Sequence, residues 1–154
     1  MMETRNIVTV AYFVLAIYMF GAGVMSTLVY YHSWKLVGVE EFSAVHTSVS
    51  ERMIPYFVPA IVLLALVNIL LIWLHHPAIS TWLIVLTAVI HVLIVVARLT
   101  VFLPIQKQLD KAKSMELIDR LLKYDVYLGS GFPSSIKMIA TIMMLYQVVT
   151  ASSH

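Results

Sequence analysis

Four long apolar runs alternate with three polar connections along this chain, and the alternation predicts its elements. Ile7 to Tyr31 carries no charge, and neither does Met53 to Leu74. Thr81 to Pro104 carries one arginine, and Phe132 to Val149 one lysine. At about 1.5 Å of rise per helical residue, runs of this length cross a hydrocarbon core of about 30 Å. Met1 to Asn6 is too sparse in charge for a signal-peptide n-region, and no small-residue cleavage site follows the first run. It is therefore expected to be a retained span.

The connections have patterns of their own. Between the first two runs, Val39, Phe42, Val45, Val49 and Met53 recur at helical spacing, with Ser43, Thr47, Ser50 and Glu51 opposite them. An amphipathic helix over 40–52 is expected to lie in the membrane interface, with Glu40 and Glu41 at its positive end. Pro55 and Pro59 are expected to kink the second span where it begins. His75 to Ala78 is short enough to make the second and third spans a hairpin. Past the third run, Ser114 can cap a surface helix over 115–125, with an apolar edge of Leu117, Leu121 and Leu122. Glu116–Arg120 and Asp119–Lys123 are acid-to-base pairs four residues apart on it. Gly129, Gly131 and Pro133 then interrupt the chain before the last run. The expected fold is all-α: one integral membrane four-helix bundle over 1–154, with spans at 7–31, 53–74, 81–104 and 132–149 and an interfacial helix between the first two.

Composition agrees with the pattern. The chain is 61% hydrophobic and 12% charged, and its mean hydropathy of +0.92 lies outside the range of soluble domains. It has no cysteine, which excludes disulfides, thiolate metal sites and Cys-x-x-Cys redox chemistry. The bases gather in two connections and not on a nucleic-acid-binding face. Lys35, Arg52, Lys107, Lys111, Lys113, Arg120 and Lys123 share one side and Arg5 alone flanks the other. The positive-inside rule then puts both termini outside the cytoplasm, in an inner or plasma membrane.

Candidate chemistry sits mainly in the third run. His91 and Arg98 are two helical turns apart and Thr87 is one turn before His91, so the three share a face amid Leu, Ile and Val. Charged side chains inside a span usually face the bundle interior or a wet cavity, which makes this stripe the default site. Ser26 and Tyr30 carry hydroxyls at the end of the first span, beyond Gly21, Ala22 and Gly23, whose small size lets a neighbouring helix come close. Asn68 is expected to hydrogen-bond across helices, with His91 the natural partner. His46 falls beside the apolar face of the interfacial helix and so looks toward the protein. Lys137, one turn inside the last span, is expected to snorkel to the surface. No acid lies within the four runs and His91 has no histidine opposite it, so neither a metal nor any other cofactor is expected. Proton chemistry without a cofactor needs only a base, a cation or hydroxyl beside a developing oxyanion, and a dry pocket. His46, His91 and Arg98 are the residue types for it.

The order of these features resembles the anthrone-oxygenase-like family, small four-helix membrane proteins mostly of unknown function. The resemblance runs from Gly21 to Val149 and rests on Trp34, the EEFSAVH stretch with Phe42 and His46, IPYFVP, LPIQ at the end of the third run, and the Leu-Leu helix before the fourth. It implies that some relatives oxidise anthrones to anthraquinones with oxygen and no cofactor. By motif, Trp34, His46, Pro104 and Gln106 are the positions it implicates. The chain departs from the pattern at KYDVYLGSGFPSSIK, where Asp125 and Lys137 stand nearest to the family's Trp or Asn followed by Arg.

The expected function is therefore an intramembrane pocket for a hydrophobic, aromatic small molecule or lipid, with oxidoreductase activity of this type. Its catalytic set would be His46, His91 and Arg98, and its ligand-binding set Trp34, Asn68, Gln106, Ser26 and Tyr30. The alternative is a non-catalytic subunit that packs against itself or a larger membrane partner through the small-residue face. In the pocket version His46 and Arg98 meet across the mouth, and the fixed arginine charge keeps the imidazole neutral. Arg98→Leu is then expected to abolish binding and leave the fold intact.

Overall fold

A computed structural model describes residues 2–152; Met1, Ser153 and His154, the ends of the expected 1–154 domain, lie outside the described residues. The order of elements is α1 (Met2–Met25), a π-helical turn (Ser26–Tyr30), α2 (Tyr31–Ser33), α3 (Val39–Leu74), α4 (Thr81–Ala97), a second π-helical turn (Arg98–Phe102), α5 (Leu103–Leu109), α6 (Met115–Leu128) and α7 (Phe132–Ala151). The protein is an all-α four-helix bundle, with four helical stretches long and apolar enough to cross a membrane. α1 and α4 each pack against both α3 and α7, which closes the bundle into a ring. Val10, Ile17, Leu66, Val92 and Ile139 point outward, as side chains in contact with lipid should.

α3 is longer than the pattern predicts. The interfacial helix and the second span are one helix of 36 residues that continues through Pro55 and Pro59. Two prolines four apart forfeit two backbone bonds without ending it, because the neighbouring turns are held by packing on α1 and α4. At about 1.5 Å per residue the helix is about 54 Å long, so its first third extends beyond a membrane's apolar core. The inward face of that part is also rotated from the expected valine stripe. Phe42 and His46 are buried, whereas Val39 and Val45 are exposed.

The two π-helical turns lie in the first and third spans. Each inserts one residue into the helical repeat and so rotates everything beyond it. After the second, Phe102, Ile105 and Leu109 face inward together. They join Tyr31, Trp34, Phe42, Ile118 and Leu121 in an aromatic-rich core. A separate core, built on Tyr12, Phe13, Leu64, Leu71, Leu83 and Met144, fills the other end of the bundle. Ser114 caps α6 as expected, accepting from the Leu117 amide at 3.3 Å. Asp119 turns away from Lys123 and pairs with Lys35.

Candidate functional site

A cavity of about 450 Å³ opens between the two cores, touching Ala16 and Leu64 of one and Tyr31 of the other. α1 gives it Met19, Phe20 and Gly23; α3 gives Met53, Phe57, Val58 and Ile61; α4 gives His91, Ile94 and Val95; α7 gives Ser134, Lys137 and Thr141. The wall is apolar on most sides. Its polar part is held on α4, the turn at Arg98 and the start of α7. Gly23 of α1 and Ser26 of the first π-helical turn contribute small side chains to this wall.

Lys137 and His91 form the deeper half of the polar wall. Both are buried, with relative exposures of 7% and 6%, and Lys137 Nζ donates to His91 Nδ1 at 3.2 Å. An ammonium has donors only, so Nδ1 accepts and the neutral ring carries its proton on Nε2. That nitrogen is buried and has no hydrogen-bond partner among the described residues. Below it, Tyr12 and Thr141 share a hydrogen bond of 3.1 Å, and Thr141 donates to the Lys137 carbonyl at 2.8 Å. The expected snorkelling of Lys137 does not occur. The imidazole acceptor and the tight packing of α7 on α4 hold the amine inside.

Arg98 forms the other half. Nη2 donates to Ser130 Oγ at 2.9 Å and reaches Asp125 Oδ1 at 3.5 Å, while Nη1 reaches the Tyr31 hydroxyl at 3.4 Å. The guanidinium also stands 5.1 Å from the centre of the Phe102 ring. Asp125 is fully buried and accepts further bonds from the Ser130 amide at 3.2 Å, the Ser130 hydroxyl at 3.3 Å and the Thr27 hydroxyl. The four apolar runs are free of acid, but α6 delivers this carboxylate into the bundle from outside them. Its position follows from Ile118, Leu121 and Asp125 sharing one face of α6, all three buried. Gly129 lets it fit, since a Cβ there would lie 2.3 Å from Asp125 Oδ1.

His46 lies elsewhere. Its Nδ1 donates to Asp110 Oδ1 at 2.8 Å, its ring stacks on Phe42 at 5.5 Å and meets Trp34 edge-on at 4.5 Å, and Nε2 is buried without a partner. The expected meeting of His46 and Arg98 is thus corrected: the charge beside the imidazole is the Asp110 carboxylate. Asn68 does not bond His91 either. Its Nδ2 donates to the Leu64 carbonyl of its own helix at 2.8 Å, and Oδ1 has no partner among the described residues.

Of the residues singled out from the sequence, Ser26, Tyr30, His91, Arg98 and Gln106 line the cavity, while Trp34, His46 and Asn68 do not. The cavity also draws on Tyr31, Ser130 and Thr141, which sequence reasoning passed over, and on Lys137, which it expected at the surface. Among the described residues no cluster of three or more histidines and carboxylates is arranged to hold a metal ion. No family model, curated protein or solved structure matches the chain.

Proposed function

We propose that this protein binds a hydrophobic, aromatic small molecule inside the membrane and oxidises it with molecular oxygen and without a cofactor, in the manner its resemblance to the anthrone-oxygenase-like family implies. The observation that carries the proposal is the apolar cavity of about 450 Å³ with a single polar wall of His91, Lys137 and Arg98. A volume of that size takes a three-ring aromatic, and donors on one side can stabilise charge developing on its oxygen. The two histidines stand in different places: His91 lines the cavity with its Nδ1 accepting from Lys137, whereas His46, held by the Asp110 carboxylate, lies outside it in the aromatic core. By the distribution of Lys and Arg, the protein sits in an inner or plasma membrane with both termini outside the cytoplasm.

One observation favours a second function, that of a non-catalytic subunit. Gly23 is used within the chain, 2.9 Å from Ser130 Oγ by its ideal Cβ, but Gly21 is exposed with nothing within 4 Å. It leaves a shallow face on α1 for a helix of another chain. Purification without cross-linking, followed by native mass spectrometry, separates the two. A lone chain that carries an aromatic or lipid adduct supports the pocket, and a stoichiometric large partner with no adduct overturns it.

A further inference from the structure

Two cations face the cavity, and the chain answers only one of them. Arg98 has Asp125 beside it at 3.5 Å. Lys137 is 93% buried, forms no ion pair among the described residues, and has a neutral imidazole as its hydrogen-bond partner. A buried ammonium without a counter-charge is among the most costly arrangements a protein interior holds, and within a membrane span water cannot relieve it. Lys137 lines the cavity, and its hydrogen bond goes to His91 Nδ1. A buried ammonium on the wall of an apolar cavity selects a ligand atom that is an acceptor and negative.

We infer that the natural ligand is an amphiphile with one anionic oxygen group, a carboxylate or a phenolate, seated on Lys137 Nζ, its apolar body lying against Phe57, Val58, Ile61 and Ile94. The inference rests on the pocket proposed above and narrows its ligand to a class. The anion is the missing counter-charge of Lys137, and the fold leaves that place open beside the amine. Arg98 does not take part, because Asp125 and Ser130 already occupy its guanidinium.

The test compares anthracene-2-carboxylate with anthracene-2-carboxamide, equal in shape and different by one charge, on the full chain in phosphatidylcholine nanodiscs with empty nanodiscs subtracted. The carboxylate is expected to bind at least about tenfold tighter than the carboxamide. Lys137→Met should bring the ratio to about one and Lys137→Arg should preserve it. The wild-type ratio needs no variant and stands even where Lys137→Met does not fold. Equal affinity for the two compounds overturns the inference and leaves the pocket standing. Saturable binding of neither overturns both.

Discussion

At the scale of single residues, the Arg98–Asp125 pair changes what a mutation at Arg98 means. The sequence alone presents an arginine in an apolar helix, and its removal looks harmless because a costly charge disappears. With a fully buried carboxylate beside it, Arg98→Leu instead strands Asp125, whose remaining partners are hydroxyls and one amide. Breaking a buried pair from one side typically costs about 3 kcal/mol, while replacing both members by apolar groups restores much of it. Arg98→Leu and Asp125→Leu should each lower stability by about that amount, and the double variant should lose less than either. Denaturation in mild detergent with increasing dodecyl sulfate measures the cycle; additive losses would mean that the two residues act independently. Asp125 could have been placed from the sequence, since it continues the Ile118 and Leu121 face of α6. Lys137 could not. Snorkelling is the usual fate of a lysine one turn inside a span, and only the position of His91 on the facing helix shows why this one stays.

At the scale of elements, the helical runs and their number were readable because each is long, apolar and bounded by Gly, Pro or charge. The π-helical turns were not. They come from tertiary packing, and each shifts the register by one residue, so faces extrapolated from straight helices go wrong beyond Ser26 and Arg98. The α6–α7 connection is the other element the pattern marked only as a break. Both Gly129 and Gly131 donate their amides to the Asp125 carbonyl, at 3.1 and 3.0 Å, and so turn the chain tightly beside the buried carboxylate. A Cβ on Gly131 would lie 2.4 Å from the Val126 carbonyl oxygen, a backbone atom that cannot step aside. Gly131→Ala should therefore cost about 2–3 kcal/mol, against no more than about 0.5 kcal/mol for Gly21→Ala, whose Cβ meets open space. Thermal unfolding of the two variants side by side checks this, and similar midpoints would contradict the turn's role.

At the scale of the whole molecule, the bundle is two packed ends with a gap between them. One end is an ordinary interhelical core; the other is an aromatic assembly drawn from α2, α3, α5 and α6 around His46. A close-packed protein of this size has little reason to keep about 450 Å³ of lined space unless something fills it. The most direct measurement is equilibrium dialysis of anthracene against nanodiscs holding the wild type, an Ile61→Trp variant, or no protein. Ile61 lines the cavity, and an indole there takes up room the ligand needs. Saturable binding of one anthracene per wild-type chain, weakened about tenfold or more by Ile61→Trp at an unchanged unfolding temperature, is the predicted result. Uptake by the wild type that never saturates and matches the variant and the empty nanodiscs would contradict it.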